Sequence, residues 1–401
     1  MAIRTVEEYK ESLRDGRRVY IMGEKVEDVT RHPVLGPTVD LVGAAYELCA
    51  SEDPEIRDLY VAPHPETGEP ISRYYITPRT TEDLAVRSKM IQRSIALAGD
   101  LPFGRDIGTD CLNAAFVVAG KMGNEQYQQN AVNFLEYLRK NDLFTCGAVT
   151  CVKGDRSKEP ANQKHPDYYV HVVDKNKDGI IVKGAKAHIT SAPIVNEIVV
   201  IPTRQMRENE GEYAVSFAVP ANTKGVTFVC RGGRGAWTDH EFHPDTPVRT
   251  LTEAMIIFDD VFVPWERVFM CGEWKYSMLL AYTFATFHRF TAISYKIPLV
   301  ETAAGCAVAM AKYNGLDKIG HIRGKLAEIA AYVETLRALT NAAAKDPVMY
   351  GDIAVPNPLI ANMAKLHFAS KYHQFIELIQ DIGGGIIGTA PDRKDWEHPD
   401  L

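Results

Sequence analysis

His288, Tyr295 and Lys296 fall, with Ala292, along one side of a helical repeat, which puts an imidazole, a phenol and an ammonium on one face. Imidazole titrates near neutral pH, so His288 is a candidate general base or acid. The competing reading is a satisfied core histidine. A second stretch with chemical potential is the glycine-rich run Asp381 to Pro391, which ends a helical segment and leaves backbone open to a bulky ligand. Gly383, Gly385 and Gly388 formally spell G-x-G-x-x-G, but the run follows a helix rather than a strand, so a Rossmann site is rejected. A plain helix C-cap is the alternative. Cysteines at 49, 111, 146, 151, 230, 271 and 306 are odd in number and scattered, which suits a reducing compartment better than a disulfide framework. Neither C-x-x-C nor H-E-x-x-H occurs, so zinc is not expected.

These groups need elements to hold them. The 401 residues, 46% hydrophobic and 24% charged, suffice for two or three domains with substantial cores. A net charge of −7 argues against nucleic acid or an anionic membrane as principal partner. The amino terminus lacks an apolar signal core, and no run approaches the roughly 20 apolar residues of a membrane span, so a cytoplasmic protein is expected.

Thr5 and Glu8 form a capping-box signature for a first short helix. Further helices are expected over 41–48, from Thr80 to about Gly99, over 110–121 and over 125–141, with a loop from Pro102 to Thr109. After Asp142 the periodicity becomes that of short strands, including a hairpin over 168–183 whose Asp178-Gly179 turn is expected to supply positive φ. Strands at this spacing, without intervening helices, indicate a sandwich or barrel. From Glu273 the helical period returns, and Ile319, Ile322, Leu326, Ile329, Val333 and Leu336 form a packing seam. The order helix, sheet, helix divides the chain into 1–143, 144–272 and 273–401, the last too short to close a four-helix bundle alone.

Several stretches then carry a resemblance. Arg18 to Glu27 with His32-Pro33, Val152 to Arg156, Gly179 to His188, Phe258 to Phe269 and the glycine run are similar to the flavoprotein family that contains 4-hydroxybutyryl-CoA dehydratase and 4-hydroxyphenylacetate 3-hydroxylase. The likeness covers essentially the whole chain. It implies an α+β, acyl-CoA-dehydrogenase-like fold: a helical N-terminal domain, a central β-sandwich or barrel and a C-terminal helical bundle, assembled as a homotetramer. Because family members continue beyond the position of Leu401, that bundle is expected to be incomplete here. FAD would lie between the β domain and the bundle. Its implied contacts are Val149, Thr150, Cys151, Val152, Lys153, Asp155 and Arg156, the turn His188, Ile189 and Thr190, and Gly383, Gly384 and Gly385.

In the dehydratase branch three cysteines and a histidine hold an iron–sulfur cluster. The histidine matches His288, but the cysteines match Pro102, Asp106 and Tyr295, so no cluster is expected. In the hydroxylase branch an arginine, a tyrosine and a histidine grip a phenol. Their matches are Ile107, Cys111 and Gly147, which cannot do so, although Arg105 stands nearby as a candidate for binding a carboxylate or a CoA phosphate. A surface ion pair is the competing reading for Arg105. Glu253 matches an acidic residue near the dehydratase site, implying shared proton transfer or orientation of His288. Gly154 to Arg156, Gln163-Lys164, Ala185 to His188 and Ala311 to Gly315 favour the dehydratase branch.

The expected function is therefore a cluster-free FAD enzyme acting on an acyl-CoA or small acid, by proton abstraction with flavin redox or by double-bond isomerisation. The alternatives are a two-component monooxygenase of small aromatics served by a separate flavin reductase, and a non-catalytic assembly subunit.

Overall fold

The computed structural model describes residues 3–98, 105–232, 252–391 and 393–401. The first helix, α1 (Val6–Ser12), starts at the expected box: Thr5 Oγ1 accepts from Glu8 N, and Glu8 Oε2 accepts from Thr5 N. The strands β1 (Arg18–Ile21) and β2 (Glu24–Val26) follow. The helices α2 (Gly36–Cys49) and α3 (Pro54–Tyr60) precede a small hairpin, β3 (Val61–Pro63) with β4 (Pro70–Ser72). Three longer helices complete this part, α4 (Thr81–Ala98), α5 (Arg105–Met122) and α6 (Glu125–Asn141). The expected loop to Thr109 is thus corrected, since residues 105–109 are already helical; Pro102 lies outside the described residues.

The central strands are β5 (Thr145–Ala148), β6 (His171–Lys175), β7 (Gly179–Thr190), β8 (Glu197–Val200), β9 (Val215–Pro220), β10 (Val226–Cys230), β11 (Glu253–Pro264) and β12 (Val268–Cys271). They form a six-stranded sheet in the order β2-β1-β10-β11-β7-β6 and a four-stranded sheet in the order β12-β9-β8-β5. One continuous apolar core, including Val182, Phe217, Phe228 and Ile256, lies where they face each other. β1 lies within the N-terminal segment 1–143 yet belongs to this layer. It pairs parallel with β10, Val19 opposite Phe228, a long-range contact that local pattern does not reveal.

The β6–β7 hairpin is present, but its glycine serves another purpose. Gly179 is not among the positive-φ residues; Asn176 Oδ1 accepts from the amides of Asp178 and Gly179 instead. A Cβ at Gly179 would lie 2.2 Å from the Val263 carbonyl oxygen, so the close approach of β11 demands glycine.

The C-terminal part comprises α7 (Ser277–Tyr313), α8 (Gly320–Lys345), the hairpin β13 (Val348–Tyr350) with β14 (Ile353–Val355), and α9 (Pro358–Gly383). Ile322, Ile329, Val333 and Leu336 of the expected seam are buried against α7 and α9. A fourth helix comes from far upstream. α4 lies against α7 and α8, with Ile91 and Ile95 packed on Tyr295 and Leu299.

Candidate active site

α7 presents His288 toward α5. The ring is stacked on Phe284 at 5.2 Å, its side chain is 33% exposed, and Nδ1 lies 3.9 Å from Asp110 Oδ2. Burial, reinforced by the cations of Lys296, Lys365 and Arg289, pushes the imidazole pKa down to about 4. The ring is therefore neutral at pH 7. Lys296, eight residues further along α7, has its Nζ over the rings of Tyr295 (4.8 Å) and Phe368 (4.9 Å). Burial and Lys365 lower this ammonium to about 8. Burial raises the Tyr295 phenol, which keeps it a proton donor at neutral pH. Lys296, and Lys365 of α9, are near enough to act on the His288 imidazole, whereas Tyr295 packs against Ile91 and Ile95 of α4.

Below His288 lies a buried polar group that the sequence reading missed. Arg87 of α4 donates from Nη2 to Asp110 Oδ1 (2.8 Å), the Asp106 carbonyl (3.0 Å) and Thr109 Oγ1 (3.0 Å). Thr291 of α7 donates to Asp110 Oδ1 at 3.2 Å. Burial raises the carboxyl groups of Asp106 and Asp110 to about 6 and about 7, with Arg87 opposing the shift. Asp106 Oδ1 and Oδ2, Asp110 Oδ2, Arg87 Nε and His288 Nδ1 are buried without a hydrogen-bond partner. The only advance signal was an acidic pair one helical turn apart on α5, and nothing local marked it as buried.

Arg105 and Glu253 are corrected. Arg105 is enclosed by Tyr46, Tyr74 and Tyr75, its guanidinium 4.4 Å from the centre of the Tyr46 ring, and it pairs with Asp142, which is itself buried. That is a core contact rather than a substrate grip or a surface pair. Glu253 opens β11 opposite Thr190, and its carboxylate pairs with Arg231 at 3.5 Å. The carboxylate beside His288 is Asp110.

The expected phenol-gripping positions meet, but as packing. A Cβ on Gly147 would come within 2.7 Å of Cys111 Sγ and 3.0 Å of Ile107 Cγ2, so α5 sits directly on β5 there. No polar side chain of the three faces a ligand. The iron–sulfur ligands do not fit either. Asp106 and Tyr295 offer no thiolate, burial pushes the Cys111 and Cys146 thiols up, and no group of three metal-ligating side chains occurs among the described residues.

The expected flavin segments form one unit in the β layers. Thr150 O accepts from Ala187 N at 2.7 Å, and Cys151 bridges Lys186. The buried Lys186 reaches across from β7, its Nζ donating to the carbonyls of Val149 (2.8 Å) and Ile201 (2.7 Å) where β5 and β8 end. This ties Val149–Cys151 to the start of His188–Thr190. Lys153 (φ 74°), His188 (φ 58°) and Ser191 (φ 62°) hold left-handed backbone there, strain of the kind that clusters at ligand sites. Val152, Asp155 and Arg156 are exposed, Ile189 buried. The glycine run lies apart on the bundle: Gly383 packs toward Met310 and Ile387, Gly384 caps α9 at φ 67°, and a Cβ on Gly385 or Gly388 would meet nothing within 4 Å. Backbone so bared, and two strained loops held together, fit a large planar cofactor with a polar chain.

A cleft of about 500 Å³ lined by Arg79, Lys121, Glu136 and Tyr350 contains none of the expected site residues. No described helix is long and apolar enough to cross a membrane.

The chain is 33% identical to 4-hydroxybutyryl-CoA dehydratase/vinylacetyl-CoA-Delta-isomerase of Clostridium aminobutyricum, over 98% of this chain and 81% of that protein. It superposes with a TM-score of 0.86 on the oxygenase component of 4-hydroxyphenylacetate 3-monooxygenase complexed with FAD, at 29% identity, covering 99% of this chain and 83% of that one. The acyl-CoA-dehydrogenase-like fold is supported by butyryl-CoA dehydrogenase of Megasphaera elsdenii, with a TM-score of 0.53 at 17% identity over 95% of this chain and 87% of that one. The models for the N-terminal and C-terminal parts of 4-hydroxyphenylacetate 3-hydroxylase match residues 5–270 and 278–401. With matching sequence, fold and disposition of segments, the chain belongs to the 4-hydroxyphenylacetate 3-hydroxylase family of flavin-dependent enzymes, which embraces both monooxygenases and a dehydratase/isomerase.

Proposed function

We propose that this protein is a FAD-dependent, cluster-free enzyme that abstracts a proton from an acyl-CoA or similar small acid. The observation that supports this reading is the His288 ring stacked on Phe284 and 3.9 Å from the buried Asp110 carboxyl, with Lys296 and Lys365 adding to burial in lowering its pKa. His288 Nε2 takes a proton from the carbon next to the carbonyl. The electron pair left behind moves toward the carbonyl oxygen, where Lys296 and Lys365 stabilise the developing negative charge. Return of the proton at another carbon completes a double-bond isomerisation. FAD, when bound, supplies the two-electron acceptor for an oxidation. Val149–Lys153, Asp155, Arg156, His188–Thr190 and Gly383–Gly385 are the residues that would hold it, the last set in a homotetramer on a neighbouring subunit. Tyr295 serves as a proton donor beside Lys296.

The packed contact of Gly147 with Cys111 and Ile107 further favours this reading over phenol hydroxylation. A second reading, a two-component monooxygenase supplied with reduced flavin by a separate reductase, draws on the 31% identity with the 4-hydroxyphenylacetate 3-monooxygenase oxygenase component of Thermus thermophilus. Loading the protein with FAD and adding a panel of acyl-CoA esters without oxygen tests the two readings. Bleaching of the flavin, or a shifted double bond in the product, is expected. Oxygen uptake with reduced FAD and phenols, without any response to the esters, would overturn the proposal.

A further inference from the structure

We propose that Asp110 is a positioning residue for His288: its carboxyl fixes which imidazole nitrogen carries the proton, and so whether Nε2 is free to act as the base. This rests on the role of His288 given above.

The geometry is specific. Asp110 uses Oδ1 fully, for Arg87 and Thr291, and leaves Oδ2 unpartnered and buried 3.9 Å from Nδ1, which is equally unpartnered and buried. Two facing buried polar atoms without other hydrogen-bond partners close on each other at small expense, since unmet hydrogen bonds of buried groups are unfavourable. Catalytic hydrogen bonds that are long without ligand tighten when the site fills. His288 is half-buried and stacked on Phe284, so a modest ring rotation suffices.

The proton count follows. With Asp110 protonated, its hydroxyl donates to Nδ1, the imidazole keeps its proton on Nε2, and Nε2 has no free lone pair. With Asp110 ionised, Nδ1–H donates to Oδ2 and the Nε2 lone pair is free. When Nε2 takes a substrate proton, the imidazolium stays paired to the carboxylate. The charged and titratable groups facing this pair are Arg87 from α4, Asp106 and Cys111 from α5, Arg289 and Lys296 from α7, and Lys365 from α9. Arg87 favours the ionised carboxyl; burial and Asp106 disfavour it, which puts its titration at about 7.

The test is the pH dependence of diethylpyrocarbonate modification at His288, followed by peptide mass spectrometry on the full chain without added cofactor, with His288→Gln as the blank. A rise in reactivity through about pH 7 is expected. In Asp110→Asn, whose amide donates to Nδ1 at every pH, the rise should vanish and reactivity stay low. Should that variant not fold, Thr291→Val removes one hydrogen bond to the ionised carboxyl, and the rise should move to higher pH. A wild-type profile without that rise, or the same rise in Asp110→Asn, overturns the proposal. The result stands apart from the FAD reading: a chain that refuses FAD can still show the rise, and a chain that binds FAD and turns over can lack it. In the active enzyme Asp110→Asn should lower kcat by roughly 10²-fold or more while leaving FAD affinity unchanged.

Discussion

At the scale of single residues, the helical period of α7 is enough to set His288, Tyr295 and Lys296 on one side of the helix, because a spacing of three, four or eight keeps side chains on one face. It is not enough to find Asp106, Asp110, Arg87 or Lys365, which arrive from three other helices. The errors over Arg105 and Glu253 have the same origin, since burial and pairing are tertiary properties. The buried acids make a stability prediction. An unfolded chain releases their protons near the ordinary aspartate pKa of about 4, whereas Asp106 and Asp110 hold theirs to about 6 and about 7. Between those limits the native state binds more protons, so stability is greatest at the acid end of this window and is lost as pH rises. Thermal unfolding should therefore occur at a lower temperature at pH 8 than at pH 5. Asp106→Asn should reduce that difference, and an equal or larger difference in the variant would contradict the assignment.

At the scale of elements, the capping box, most helices and the strand spacing were legible because they are written in local residue order. Two features were not. The helical state of 105–109 accompanies an ion pair of Arg105 with Asp142, the left-handed C-cap of α6 at φ 44°, a partner 37 positions away. The seat of α5 on β5 depends on missing side chains at Gly108 and Gly147, which no periodicity announces. A Cβ at Gly108 would stand 2.0 Å from Thr145 Oγ1 and 2.8 Å from the Thr145 carbonyl carbon. Gly108→Ala must then push α5 off the sheet, and a loss of roughly 1–3 kcal/mol in denaturant unfolding is expected from overpacking of this kind. An unchanged midpoint would show that the contact yields freely. Because α5 carries Asp106 and Asp110, the same variant should disturb the pocket beneath His288.

At the scale of the whole molecule, the succession of helix, sheet and helix was readable, and so was the family. The sequence did not show that the first strand completes the six-stranded sheet or that α4 stands in the terminal bundle. Those long-range closures join β1 to the central sheet and α4 to the terminal helices, while Lys186 ties together the strained loops of the β layers. The central claim is that His288 removes a carbon-bound proton from an acyl-CoA-like substrate in a FAD-loaded protein. It is tested most directly by incubating that protein with short-chain acyl-CoA esters in deuterium oxide and measuring deuterium in the recovered acyl chain by mass spectrometry. Incorporation by the wild type, slowed by roughly 10²-fold or more in His288→Gln, is the predicted result. FAD-loaded protein that exchanges no ester of the panel, or a variant that exchanges as fast as the wild type, would contradict it.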